Sequence, residues 1–367
     1  MTMVRYGFIG AGMMGQEHLR NLALLDGATV SGIADPDAGM RASSLATQGG
    51  TARVFEDYRD LITADICDAY VICSPNDAHH AALLDVLPSN KPVLCEKPMC
   101  TTVADCRDIV SRQAGRSAPL WVAMEYRYMP PMQRLLREVE GGTAGQPVMM
   151  AIREHRFPFL VKVGDWNRFS SRTGGTLVEK CCHFWDLMRL VLKSDPVRVY
   201  ASGAMDVNHR DERYGGAVPD IIDNAFVVVD FENGARGMLD LCMFAEGSYW
   251  QEVVSVTGPK ARIDACVPGP ARFAPDGRER KSRIVLSDRA SKVETAEDIE
   301  VDETILGAGD HHGSTFYQHQ RFLDLVRTGQ GQPEVTAEDG LWSVLVGAAA
   351  EQSARSGQAV DLRSFQP

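Results

Sequence analysis

Three groups of residues have the types and spacing to carry chemistry. The first is Gly7-Phe8-Ile9-Gly10-Ala11-Gly12-Met13-Met14-Gly15, where a GxGxxG pattern leaves a strand-like run and opens a helix-like one. Gly10 allows the tight turn, Gly12 lets a pyrophosphate approach the backbone, and Gly15 lets the helix pack closely on the strand. The helix start at Met13 and Met14 then offers amide N–H groups and a positive dipole end to phosphate. Asp35 ends the next apolar run, twenty residues beyond Gly15. A carboxylate there accepts hydrogen bonds from ribose hydroxyls and repels a 2′-phosphate, so the reading is NAD, with Arg41 keeping NADP open as the alternative.

The second group sits at two later strand ends, where ligands of a parallel sheet gather: Ser74-Pro75-Asn76-Asp77-Ala78-His79 and Glu96-Lys97-Pro98. Removing hydride from an alcohol carbon also requires the hydroxyl proton to leave, so a base must lie within hydrogen-bond reach. Lys97 is one candidate, because partial burial beside a cationic nicotinamide disfavours its ammonium. The third group is Thr173-Gly174-Gly175-Thr176-Leu177-Val178-Glu179-Lys180-Cys181-Cys182-His183-Phe184-Trp185-Asp186. Phe184, Leu187, Met188 and Val191 form one apolar helical stripe, and Glu179 and His183, four apart, project together from a neighbouring face. His183 is the second candidate base, with Glu179 to orient it. Cys181, Cys182 and His183 are not expected to hold a metal, since adjacent helical cysteines diverge and no CxxC pair completes a site.

These residues need a scaffold, and the chain supplies two patterns. Apolar runs at 4–9, 29–34, 69–73, 92–95 and 120–124 alternate with amphipathic stretches such as 13–26, 78–88 and 101–114, which predicts a parallel sheet covered by helices. After Pro130-Pro131 a helix at 132–140 leads into longer strands, including 225–231 and 235–244 joined through Asn233-Gly234, a hairpin signal. The fold class is therefore α/β followed by α+β with a mostly antiparallel sheet, divided as 1–124 and 125–367. Stretches 206–222 and 268–310 read as long loops, either lids or solvated surface, and 337–356 as an Ala-rich helix whose small face packs closely on another domain.

Composition narrows the class of partner. At 367 residues the chain exceeds one ordinary core of roughly 150 residues. A net charge of −11 repels phosphate backbones and anionic lipid, so neither nucleic acid nor membrane is expected as a partner. The amino-terminal residues run straight into a strand without a secretory pattern, and the nine cysteines are scattered through apolar segments as reduced thiols, so a cytoplasmic setting is expected.

Taken together, the Gly-rich turn, Asp35, Pro75-Asn76-x-x-His79, Glu96-Lys97-Pro98 and the Gly-Gly stretch through Glu179, His183 and Asp186 resemble the glucose–fructose oxidoreductase / inositol dehydrogenase (Gfo/Idh/MocA) family. The resemblance implies a Rossmann domain and a second domain whose open sheet serves as a homo-oligomer interface, dimer or tetramer, with the helix at about 337–356 packing back on the first domain. It implies NAD(P)-dependent hydride transfer to or from a secondary alcohol of a sugar, polyol or inositol-like substrate, with Lys97 and His183 facing the substrate and one or the other relaying the proton. Ser74, Asn76, His79, Glu96 and Lys97 fall to the cofactor, while Tyr126, Arg127, Trp166, Asn167, Arg168, His183 and His312 line the substrate. Two other activities share these motifs: an NAD-dependent glycoside hydrolase with transient redox, and a non-catalytic nucleotide- or sugar-binding regulator. Glu179 stands where the family usually has Asp, and Cys181 where it often has Gly, so the carboxylate beside His183 is shifted by one methylene.

Overall fold

A computed structural model of the chain describes residues 3–365. The chain divides into two compact units. The first holds the chain up to Glu125 together with Lys162–Trp166 and Glu303–Val344, and the second holds Tyr126–Val161, Asn167–Asp302 and the chain from Leu345.

In the first unit, β1 (Val4–Ile9), β2 (Ala28–Ala34), β3 (Arg53–Phe55), β4 (Ala69–Ile72), β5 (Val93–Cys95) and β6 (Leu120–Val122) form one sheet in the order β3-β2-β1-β4-β5-β6. All neighbours are parallel. Strands of such a sheet are covered on both faces, which is why they read as unbroken apolar runs: Phe8, Ile33, Val71, Ile72, Leu94 and Val122 are all fully buried. The order reverses between β1 and β4, so the exits of these two strands adjoin at the switch point of a Rossmann sheet.

The second unit carries β7 (Met149–His155), β8 (Pro196–Ala204), β9 (Asn224–Phe231), β10 (Arg236–Cys242), β11 (Trp250–Thr257), β12 (Ala261–Pro268), β13 (Ser282–Asp288), β14 (Glu294–Ile299) and β15 (Val360–Asp361). They form a nine-stranded sheet in the order β14-β13-β12-β11-β7-β10-β9-β8-β15. Only the β7–β10 neighbours run parallel. The expected hairpin is present, its turn closed by Phe231 N–H donating to Ala235 O at 3.0 Å with Gly234 at φ +84°. One face of the sheet is buried through Val227, Leu239, Ile152 and Val254, aligned across four strands.

Stretch 268–310, expected as a loop, instead contains β13 and β14 at the sheet edge. All but the last side chain of β14 are exposed, so it shows no apolar alternation; its register comes from backbone pairing and from charge pairs such as Arg283 with Asp298 at 2.7 Å. Stretch 206–222 is irregular but tied down: Asp223 accepts from the N–H groups of Asp206, Val207 and Asn208, and Glu212 accepts from Arg168, His209 and Tyr214. Burial would raise the Glu212 carboxyl, but these hydrogen bonds outweigh it and hold it down at about 2.

The Ala-rich helix Ala337–Ser356 has glycines at close approaches in each unit. A Cβ on Gly340 would lie 3.1 Å from Val122 Cγ2, and one on Gly347 only 2.5 Å from Leu177 O.

Candidate active site

The glycine turn of the first unit is closed around the exits of β1 and β4. Gly10 takes φ +93°, and a Cβ there would sit 2.5 Å from Ser74 N; a Cβ on Gly15 would sit 2.8 Å from Gly10 O. Gly12 differs: a Cβ on it would meet nothing within 4 Å, so the turn is open on the side a pyrophosphate approaches. The helix Met13–Leu22 starts at Gly12 with no side chain capping it, which leaves its first N–H groups for an anion.

Asp35, at the exit of β2, is built into this turn. Its Oδ2 accepts from Ala11 N at 2.8 Å and its Oδ1 from Asp37 N at 2.8 Å, which fixes the carboxylate beside the glycine turn. The guanidinium of Arg41 donates to the carbonyls of Asp35 and Pro36. At the exit of β4, Ser74 Oγ and Asn76 Nδ2 are buried polar atoms without a hydrogen-bond partner among the described residues. Buried polar groups are ordinarily satisfied, so these two fit a polar ligand such as a dinucleotide. His79 points elsewhere than a ligand: its ring nitrogens lie 2.8 Å from Pro98 O and 3.0 Å from Ser74 O, bracing the turns after β4 and β5. Burial lowers its pKa, while the two carbonyls, which can both accept only from the doubly protonated ring, work against that shift.

Glu96, at the exit of β5, anchors a buried chain. His18 Nε2 is 2.7 Å from Glu96 Oε1, His18 Nδ1 is 2.7 Å from His319 Nε2, and Lys97 N donates to Glu96 Oε2 at 3.1 Å. Burial pushes the Glu96 carboxyl up, yet the bond and charge of His18 and the charge of Lys97 win, holding it at about 2. Burial also opposes a charge on His18, and its contacts with Cys73 and Glu96 reverse that and raise it well above its ordinary value. The result is a buried imidazolium–carboxylate pair directly behind Lys97, a partner that its sequence position on the first helix did not announce. Nearby, Glu17, Glu125 and His311 bring ligand-type atoms within 4.8 Å of one another. Hydrogen bonds tie this group together: the Thr315 hydroxyl lies within hydrogen-bond distance of both carboxylates, and His311 Nδ1 lies 2.7 Å from Glu17 Oε1.

Two predicted substrate residues lie in this unit. Trp166 is nearly buried, with the Lys162 ammonium 4.3 Å from its ring centroid. His312, at φ +52° just before the helix Ser314–Thr328, is buried with Nε2 unpartnered among the described residues, and burial lowers its pKa to about 4.

In the second unit the helix expected to carry Glu179 and His183 together is broken. A short helix Thr176–Glu179 ends, Lys180 and Cys181 turn, and a new helix Cys182–Leu192 begins. Leu177 N is held by Glu351 at 2.9 Å, and Trp185 Nε1 donates back to Leu177 O at 2.8 Å, which pins the turn from both sides. Phe184, Leu187, Met188 and Val191 are buried as the stripe predicts, and Glu179 and His183 are each only 2% exposed.

His183 is held flat. Its ring stacks on Tyr126 with centroids 4.1 Å apart and an interplanar angle of 9°. The Tyr126 hydroxyl points to the interior, where it accepts from Lys180 Nζ. Arg127 is engaged by Asp186 through two bonds, Nε at 2.6 Å and Nη2 at 2.5 Å. Asn167 Nδ2 donates to Leu160 O at 2.9 Å, and Arg168, fully buried, donates to Glu212 at 2.8 Å. Tyr126 and His183 thus form one assembly, while Asn167 and Arg168 brace the 160s loop. In the sequence Lys180 is only one residue of the motif around His183; the signal for its role lies in Glu154 and Glu252, carboxylates at inward positions of apolar strands.

Residues 4–124 match the family model described as oxidoreductase family, NAD-binding Rossmann fold, and residues 137–362 match that of its C-terminal alpha/beta domain. The chain is 28% identical over 365 residues to a myo-inositol 2-dehydrogenase of Thermotoga maritima, covering 98% of both chains. It is 32% identical over 255 residues to inositol 2-dehydrogenase 2 of Saccharopolyspora erythraea, covering 69% of this chain and 70% of that one. Among solved structures, a levoglucosan dehydrogenase in complex with NADH shares the fold at a TM-score of 0.80 and 18% identity, covering 98% of this chain and 99% of that one.

Proposed function

The chain belongs to the Gfo/Idh/MocA oxidoreductase family, and on that premise we propose that it is an NAD-dependent dehydrogenase of a secondary alcohol in a sugar, polyol or inositol-like substrate. The observation that carries the reading is Asp35, whose carboxylate is fixed on the glycine turn by Ala11 N while Gly12 leaves that turn open. NAD, when bound, supplies the hydride acceptor. The amides at Met13 and Met14 and the carboxylate of Asp35 would hold its phosphate and ribose groups, and Ser74 and Asn76 would offer it buried polar atoms. His183 would take the hydroxyl proton as the carbon is oxidised, and Lys97, with Glu96 and His18 behind it, is the second proton-transfer candidate. Inositol dehydrogenases among the relatives make cyclic polyols the first compounds to try.

The test is a panel of inositols, linear polyols and sugars offered with NAD and with NADP, read as reduced cofactor. Net NADH from at least one compound is expected. Glycosidic cleavage without net NADH, or no turnover of any compound by NAD-loaded protein, would overturn the reading.

The outward face of the nine-stranded sheet supports self-association. Tyr200, Val228 and Met238 are register neighbours on β8, β9 and β10, and with Phe226 they are 42–64% exposed. Such a contiguous apolar face fits a second copy of the chain. Phe226→Glu is expected to lower the mass measured by light scattering; an unchanged mass would exclude this face. A cytoplasmic setting fits nine free thiols, and no described helix is long and apolar enough to cross a membrane.

A further inference from the structure

Behind His183 lies a cluster of buried charge that neither the fold nor nucleotide binding requires. Glu154 on β7 and Glu252 on β11 are register partners, so their side chains lie side by side on the inner face of the sheet, 0% and 2% exposed. The alternation of both strands calls for apolar residues there, as at Met150, Ile152, Val254 and Val256. Two adjacent carboxylates in an apolar layer repel each other and lose their hydration. Lys180 answers them: its Nζ lies 2.8 Å from Glu154 Oε1, and the residue is 4% exposed. The same Nζ donates to Tyr126 Oη and stands 4.7 Å from the centroid of the Tyr126 ring, the ring on which His183 is stacked.

We propose that Lys180 is a positioning residue for His183: through Tyr126 it fixes the plane of the imidazole, and its positive charge keeps that ring neutral and ready to accept a proton. The proposal rests on reading His183 as the proton acceptor in alcohol oxidation. A buried ion cluster is a poor way to stabilise a fold, because packed apolar residues usually do as well or better. Its placement, one tyrosine ring away from the histidine, gives it a use.

The groups that set the local field can be named element by element. From β7 and its end come Glu154 and Arg156, whose Nη1 is 3.4 Å from Glu154 Oε1. From β11 come Glu252 and Gln251, the amide of Gln251 donating to Glu252 at 2.9 Å. The segment itself carries Glu179, Cys181 and Cys182, the Arg127–Asp186 pair flanks the ring from both its neighbours, and Glu351 sits over Leu177. Burial and Arg156 press on the Lys180 ammonium and lower its pKa, while Glu154 and Glu252 oppose them. Burial, and then the charge of Glu154, push the Glu252 carboxyl up to about 7. Protonating Glu252 leaves the cluster one charge more positive than ionising it does. Removing the positive charge of Lys180 favours an imidazolium at His183.

The experiment follows the His183 ring directly, by NMR titration of the full-length, NAD-loaded protein carrying labelled histidine, with His183→Gln used to assign the signal and to measure turnover. Lys180→Met is expected to raise the His183 titration midpoint by about one pH unit, the size of one partly neutralised charge at this range. The acid limb of kcat/KM for alcohol oxidation should move the same way, since a base that protonates more readily needs a higher pH to work. Lys180→Arg should leave the midpoint in place, and so should Glu252→Gln, because Glu252 already carries its proton where the imidazole titrates. A midpoint unmoved in Lys180→Met overturns the proposal. Should that variant fail to fold, a midpoint unmoved in Lys180→Gln, which keeps a polar group beside Glu154, overturns it instead. Wild-type turnover in His183→Gln would instead sink the catalytic reading of His183, a distinct outcome because the titration reports the ring whether or not it reacts.

Discussion

In the first unit Glu96 is buried against a histidine, whereas in the second Glu252 is buried against another carboxylate with Lys180 shared between the two. The difference gives the two units opposite responses to pH. Glu96 is held at about 2 against an ordinary 4.5, so the stability it contributes is present above pH 4.5 and is lost as pH falls towards 2. Glu252 is raised from 4.5 to about 7, so the folded state binds its proton more tightly than the unfolded chain does, and stability falls as pH rises from 4.5 through 7. A carboxylate paired with imidazolium anchors; a carboxyl held beside its own kind is poised to change charge near neutrality.

The comparison can be broken hardest at the reacting groups. His183→Gln and Lys97→Met should each lower turnover by about 10²- to 10⁴-fold, with NAD affinity by calorimetry within a few-fold of wild type. Lost affinity in either would mean that the residue holds the cofactor rather than the proton. Next in size, Glu154→Ala removes the 2.8 Å partner of the Lys180 ammonium and leaves Glu252 as its counter-charge, and should cost about 2–3 kcal/mol in chemical unfolding. A cost below about 1 kcal/mol would show that the cluster is wetter than its burial indicates.

Two variants sharpen the contrast in sign. His18→Asn should flatten the acid-side decline between pH 4.5 and 2, and Glu252→Gln should flatten the decline between 4.5 and 7, each by about 2 kcal/mol over its window. Parallel profiles for the two variants would dissolve the distinction. The smallest effect concerns the cofactor: Asp35→Ser removes the carboxylate but keeps a hydroxyl, and should shift preference from NAD towards NADP by about tenfold. Unchanged preference would place the discrimination elsewhere, with Arg41 the next residue to replace.

Much of the first unit could be read directly. Gly10, Gly12, Gly15 and Asp35 act through backbone shape and strand ends, which neighbouring residues in the chain specify. The hairpin at Asn233-Gly234 was readable for the same reason. Stretch 268–310 was not, because β14 is an edge strand whose polar side chains carry no alternation. The helix break at Lys180 and Cys181 was hidden too, since the spacing of Glu179 and His183 suits an unbroken helix as well. The cluster beneath His183 depends on the register of β7 against β11, strands about a hundred residues apart, and no local pattern encodes that pairing.

The acidic edge has its own consequence. At one end of the nine-stranded sheet, β14 turns Glu294, Glu297 and Asp298 to solvent, and at the other β15 is two residues long. Neither offers a long uncharged ladder to a stray strand. For the self-association proposed on the apolar face, such guarded borders would let a flat pairing of copies stop at a closed particle rather than grow into a fibril.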